Sequence, residues 1–183
     1  MTFQETKIKG CYLIDFNKNE DQRGFLSRIF CQETLLPLLK GKSIRQVNRT
    51  FSRTEGLVRG LHFQNSPYAE IKIVYCLKGK VWDVAVDLRK GSPTFLHYHS
   101  VTLTEDNYQC FFIPEGCAHG FQTLAPNCEM LYFHTEDYNI DAEGVINPID
   151  PRISIKWPKI ITERSERDNN SPMLDKNFLG IKI

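Results

Sequence analysis

The octapeptide Val81-Trp82-Asp83-Val84-Ala85-Val86-Asp87-Leu88 decides the fold. Side chains alternate between faces in an extended chain, so Trp82, Val84, Val86 and Leu88 share one side and Val81, Asp83, Ala85 and Asp87 the other. Upstream, Ile71–Cys76 (IKIVYC) is apolar and β-branched and is broken by Lys78-Gly79-Lys80. Downstream, Arg89–Pro93 (RKGSP) is a turn, and His97–Leu103, Gln109–Ile113, Gly120–Leu124 and Glu129–Thr135 read as further strands. Short strands separated by turn residues at such even intervals predict an all-β sandwich or barrel. Helical signal is thin: Gln32–Leu39 predicts a short helix interrupted by Pro37, and Met173–Phe178 another. The polar run Thr162–Asn170 (TERSERDNN) reads as a surface excursion. With no linker, repeat period or shift in composition, residues 1–183 are expected to form a single domain.

Composition narrows the function. Hydrophobic residues make up 41% of the chain and charged residues 25%, which excludes a disordered or fibrous protein. Lys and Arg total 23 against 22 Asp and Glu, so the basic surplus of a protein that neutralises a phosphate polymer is missing and no nucleic-acid partner is expected. No run approaches the roughly 18 consecutive apolar residues of a membrane helix, and no membrane association is expected. The amino-terminal residues carry no apolar core ahead of a small-residue cleavage site, which predicts a cytoplasmic protein. Cys11, Cys31, Cys76, Cys110, Cys117 and Cys128 are scattered without a C-x-x-C pair, as expected of reduced, mostly buried thiols.

Three clusters carry chemistry. The first is Arg59-Gly60-Leu61-His62-Phe63-Gln64, followed by Lys72 and Gly79; the second is Pro114-Glu115-Gly116-Cys117-Ala118-His119-Gly120-Phe121; the third is Tyr132 with Tyr138, six residues apart across a strand end. The first two belong together. Their cadence resembles the cupin barrels, in which two histidines, a glutamate and a final histidine surround one metal ion. Here Gln64 stands where the second histidine would be, and Lys72 where the glutamate would be. An ammonium has no lone pair to give a metal and repels it, so the expectation is a cupin barrel with no metal and a fixed organic cation in its place. His97-Tyr98-His99 with Glu105, following Gly91, offers a competing metal cluster. Glu105 falls too far along the chain for that pattern, and paired strand histidines are commonly surface or core filler.

Without a metal, such a set suits proton transfer. Removing a hydrogen next to a ketone needs a positioned base and a cation to hold the resulting enolate. A neutral His62 can act as the base, Lys72 can hold the enolate oxygen, and the hydroxyl of Tyr132 can return the proton from the opposite face. That is the composition of a two-base epimerase.

At RGLHFQ, Lys72, DVAVDLRKGSPTF and FIPEGCAHGFQTL the sequence resembles the dTDP-4-dehydrorhamnose 3,5-epimerase family, from Asp21-Gln22-Arg23-Gly24-Phe25 through Pro172-Met173-Leu174-Asp175. The resemblance implies a metal-free, cofactor-independent cupin jelly roll acting as a homodimer. It also implies epimerisation of a nucleotide-linked 4-keto-6-deoxy sugar at carbons 3 and 5, in deoxysugar synthesis for surface polysaccharide. Carried onto this chain, it makes His62 the base, Asp168 the carboxylate that orients it, Lys72 the enolate clamp and Tyr132 the acid. Arg59, His119, Glu143, Arg167, Gln46 and Asn48 become ligand contacts, Arg23 a contact made across the dimer, and Tyr138 the ring that stacks on the nucleobase.

Two positions depart from the family pattern: Arg28 stands where a glutamate is usual, and Val47 where an aspartate is usual between Gln46 and Asn48. A guanidinium only donates hydrogen bonds, so Arg28 changes nucleobase recognition and leaves GDP- or CDP-linked sugars open beside dTDP. Each site residue also has a structural alternative: His62 and His119 as core histidines, Tyr132 as barrel packing, Arg59 and Lys72 as partners of Asp83, Arg167 as a solvated charge, Tyr138 as a surface aromatic. Competing functions are epimerisation at one carbon only, a 3,4-ketoisomerase of the same barrel type using His97 and His99, and a non-catalytic sugar-binding cupin.

Overall fold

The computed structural model describes residues 1–183. The strands are β1 (Thr2–Glu5), β2 (Tyr12–Asp15), β3 (Lys18–Asp21), β4 (Gly24–Ser27), β5 (Gln46–Ser52), β6 (Val58–Gln64), β7 (Lys72–Lys78), β8 (Lys80–Asp87), β9 (Tyr98–Thr104), β10 (Gln109–Ile113), β11 (Cys117–Thr123), β12 (Cys128–His134) and β13 (Glu143–Val145), with helices α1 (Gln32–Leu39) and α2 (Glu166–Asn169). A six-stranded sheet runs β1-β2-β10-β7-β12-β5, a five-stranded sheet runs β13-β6-β11-β8-β9, and β3 and β4 form a separate hairpin. All strand pairs within the two large sheets are antiparallel. The sheets pack face to face as a cupin-type jelly roll.

The alternation read along Val81–Leu88 places its two faces in different cores. Val81 and Ala85 point between the sheets and join Phe111, Phe121 and Met130. Val84, Val86 and Leu88 point outward, where Leu61, Phe63, Ala118 and the carboxy-terminal segment at Ile146, Ile153 and Trp157 cover them. The outer face of the six-stranded sheet (Ile14, Ile73, Phe112, Phe133) is covered by Leu35 and Leu39 of α1. Burial of each such side chain contributes roughly 1.5–3 kcal/mol, which is what holds the helix on the sheet.

Two helical expectations need correction. The first helix runs through Pro37 to Leu39 and ends at Lys40, which adopts the left-handed conformation (φ 50°); Leu35 and Leu39, both buried, anchor it on either side of the proline. Met173–Phe178 is a turn and extended chain with no helix. There Leu174 N donates to Asp150 Oδ2 at 2.5 Å and Phe178 packs against Phe95, so tertiary contacts override local propensity. All six cysteines are free, and five of them are buried.

Candidate active site

Near one end of the sandwich the sheets leave a cavity of about 460 Å³. The five-stranded sheet contributes Arg59 and His62 from β6 and His119 from β11; the six-stranded sheet contributes Asn48 and Thr50 from β5, Lys72 from β7, and Tyr132 and His134 from β12. Ser165, Arg167 and Asp168 close it from α2 and its cap. His62 and His119 face one another in the β6–β11 register, which shifts between His119 and Phe121. Glycines make that approach possible: a Cβ on Gly60 (φ +116°) would lie 2.7 Å from Gly120 Cα, and one on Gly120 would lie 2.6 Å from Arg59 O.

The polar run Thr162–Asn170 is more than a surface excursion. Ser165 caps α2, its side chain accepting from Asp168 N at 3.1 Å, and this turns the Asp168 carboxylate inward until the residue is only 2% exposed. One carboxylate oxygen lies 2.7 Å from His62 Nε2, and the other accepts from Gly60 N at 3.2 Å. Burial works to raise the Asp168 carboxyl, but the His62 hydrogen bond and charge outweigh it and hold it below its ordinary value. The carboxylate therefore accepts the Nε2 proton, which leaves His62 Nδ1 with the lone pair.

Lys72 Nζ donates to His62 O at 3.1 Å and pairs with Glu70 Oε1 at 3.2 Å, so one of its three donors remains free. Tyr132 lies edge-on to His119 with ring centroids 5.8 Å apart, and its hydroxyl is 3.4 Å from Thr50 Oγ1. Burial pushes the Tyr132 phenol far above its ordinary value, so it keeps its proton at neutral pH. His119 Nε2 sits 2.9 and 3.0 Å from the two oxygens of Asp83, which is fully buried. The structural alternative, Asp83 paired with Arg59 or Lys72, gives way to this imidazole: Lys72 pairs with Glu70, and Arg59 donates to Ser52 Oγ at 3.2 Å and Phe51 O at 3.3 Å.

The remaining candidates divide by position. Asn48 lines the cavity, whereas the Gln46 amide turns away to donate to Glu136 O at 2.8 Å. Arg167 donates to Glu143 Oε2 at 2.8 Å, and Tyr138 donates to the same oxygen at 3.1 Å, so Glu143 and Tyr138 stand directly behind a cavity residue. Arg23, paired with Asp21 on the β3–β4 hairpin, and Arg28, beside Cys31, lie outside the cavity of their own chain. His97 is exposed, His99 packs on Phe111, and Glu105 accepts from Gly79 N at 3.1 Å, so these three do not converge.

Sequence reading missed Thr50, His134, Ser165 and Glu70. Period two carried the signal for two of them: Glu70 precedes Lys72 by two positions, and His134 follows Tyr132 by two. Ser165-x-x-Asp168 carried the capping signal.

A model of the dTDP-4-dehydrorhamnose 3,5-epimerase family matches residues 5–176. The chain belongs to this family. It is therefore an isomerase. The Salmonella typhimurium dTDP-4-dehydrorhamnose 3,5-epimerase is 41% identical over 177 residues, covering 96% of each chain. The crystal structure of the Elizabethkingia anophelis enzyme superposes with a TM-score of 0.91 at 34% identity, covering 97% of this chain and 98% of that one. The Legionella pneumophila enzyme, solved in complex with dTDP-4-keto-L-rhamnose, superposes with a TM-score of 0.90 at 33% identity, covering 100% of this chain and 98% of that one. Family membership and the cupin-type jelly roll agree with the sequence resemblance.

Proposed function

We propose that this epimerase inverts a dTDP-linked 4-keto-6-deoxy sugar at C3 and C5, within rhamnose-type deoxysugar synthesis. The observation that carries the residue assignment is the origin of base and acid on opposite sheets: His62 projects from one wall of the cavity, and Tyr132 and Lys72 from the other. His62 Nδ1 takes the hydrogen α to the ketone as a proton, and the electron pair of the broken C–H bond moves through the new C=C bond onto the carbonyl oxygen. The free Lys72 donor stabilises that enolate, and Asp168 stabilises the imidazolium. Tyr132 then delivers its proton to the opposite face as the enolate reverts to ketone, and the configuration is inverted. Solvent then takes the proton from His62 and returns one to Tyr132, and the cycle repeats at the second carbon beside the ketone; it is redox-neutral and calls for no cofactor or metal.

Arg59, His119 and Asn48 serve as further substrate contacts, and Arg167 with Glu143 and Tyr138 as the nucleotide end. The β3–β4 hairpin and the exposed Val47 and Phe51 of edge strand β5 support a homodimer in which Arg23 and Arg28 reach the partner's cavity. No helix is long and apolar enough to cross a membrane, and the whole chain is read as one cytoplasmic domain. The deciding experiment incubates dTDP-, GDP- and CDP-linked 4-keto-6-deoxy sugars with the enzyme in heavy water. Two deuteriums gained by the dTDP sugar are expected; no exchange with any of the three sinks the reading, and one deuterium restricts it to a single carbon.

A further inference from the structure

A third imidazole–carboxylate pair stands on the cavity, and the chemistry above does not use it. His134 and Lys72 are register partners on β12 and β7, so their side chains leave adjacent strands at the same level. Glu70 sits between them, 9% exposed: Oε1 pairs with Lys72 Nζ at 3.2 Å, and Oε2 lies 2.9 Å from His134 Nδ1. Burial would raise the Glu70 carboxyl, but the His134 hydrogen bond and the Lys72 charge outweigh it and hold it below its ordinary value. A carboxylate has no proton to give, so Nδ1 of His134 carries the hydrogen. The ring lines the cavity, stacked on Tyr132 at 6.1 Å and 22°. Its Nε2 makes no hydrogen bond with the protein and is not sealed from solvent. In the neutral ring that nitrogen is a hydrogen-bond acceptor on a residue that lines the cavity together with Lys72.

We infer that Glu70 and His134 form a sugar-recognition pair: Glu70 fixes the Nδ1–H tautomer, and His134 Nε2 accepts a hydrogen bond from a sugar hydroxyl next to the carbonyl held by Lys72. The inference rests on the functional reading above. In it His134 touches the sugar, while Glu70 is a positioning residue acting through His134 and Lys72.

Glu70→Gln tests the tautomer directly. The Lys72 ammonium only donates, so it takes the carboxamide oxygen and turns the NH2 group toward His134 Nδ1. Nδ1 must then accept, the ring hydrogen moves to Nε2, and the acceptor facing the sugar is lost.

The measurement is calorimetric affinity for two ligands that are not turned over, dTDP and dTDP-6-deoxyglucose, which carries a hydroxyl in place of the 4-keto group. Their affinity ratio isolates the sugar, and the affinity for dTDP alone reports whether each variant is folded. His134→Ala is expected to weaken dTDP-6-deoxyglucose about tenfold relative to dTDP, the worth of one neutral hydrogen bond. Glu70→Gln should do the same, and the double variant should be no worse than either single one. An unchanged ratio in His134→Ala overturns the recognition role, and an unchanged ratio in Glu70→Gln overturns the tautomer role. If His134→Ala does not fold, His134→Phe replaces it, keeping a ring against Tyr132 but no acceptor nitrogen, with the same shift expected and an unchanged ratio again decisive. Wild-type protein that binds neither ligand removes the functional reading itself, and the inference with it.

Discussion

Asp83 and Asp87 sit four residues apart on the same inward face of β8, both fully buried, and they meet opposite fates. Asp87, outside the cavity and beside the Arg89–Pro93 turn, accepts from Arg89 Nε and Nη2 at 2.8 Å each and from the Ser92 and Thr94 hydroxyls at 2.6 Å each. Burial would raise its carboxyl, but these hydrogen bonds outweigh it and hold it down at about 2. Asp83, at the cavity end, has one partner, His119, and burial pushes its carboxyl up despite that imidazole and the nearby Lys72. A saturated carboxylate locks a turn. An under-partnered one beside a cavity leaves its histidine partner available to a ligand. Two more buried carboxylates face an imidazole on the cavity wall, Asp168 at His62 and Glu70 at His134, but each has a second partner, Gly60 N and Lys72, and is held below its ordinary value.

If the cavity carries the chemistry, His62→Ala should lower turnover by about 10³-fold, within the range for loss of a general base, while the melting temperature moves little. Retained turnover with a large drop in Tm would reverse the roles of the two regions. Asp87 should do the opposite. Asp87→Ala leaves the half-buried Arg89 guanidinium and the Ser92 and Thr94 hydroxyls without their acceptor and is expected to cost about 3 kcal/mol of stability in urea titrations, while the folded fraction keeps its turnover.

Tyr132→Phe sharpens the cavity side. It should still wash deuterium into the substrate from heavy water but produce no inverted product; full-rate inversion would remove Tyr132 as the acid. Asp83→Asn should leave Tm unchanged or raise it, because a carboxylate whose burial disfavours ionisation is replaced by a neutral amide. Turnover should fall by about tenfold, because the amide leaves His119 one neutral acceptor oxygen where the carboxyl offered two. A stability loss matching that of Asp87→Ala would erase the distinction between the two aspartates.

The difference between the two aspartates also shows in the dependence of stability on pH. Asp87 has a depressed carboxyl in the folded state, so its contribution of about 2 kcal/mol is present above the ordinary value near 4 and is lost as pH falls toward about 2. Asp83, raised when folded, contributes with the opposite sign. Denaturant titrations of wild type and Asp87→Asn should therefore converge between about pH 4 and pH 2.

Much of this was legible in the chain before folding. The two faces of Val81–Leu88, the strands from Ile71 to Thr135, and the grouping of His62, Lys72, His119 and Tyr132 follow from alternation and motif spacing. Glu70 and His134 were legible too, through the same period, and were overlooked because neither lies in a motif. Asp168 could be reached only through the resemblance, since its local sequence is polar and its burial depends on where α2 docks.

Sequence by itself determined which residues share a strand face, because backbone geometry imposes period two whatever the surroundings. It also determined that Lys72 stands where a metal-binding barrel would place a carboxylate. Tertiary structure alone decided which carboxylate meets which imidazole, that Asp83 belongs to His119 and Glu70 to His134, and which nitrogen of each ring the carboxylate takes. Those outcomes depend on how two sheets and a docked helix bring distant side chains within 3 Å of one another, a distance that no local pattern encodes.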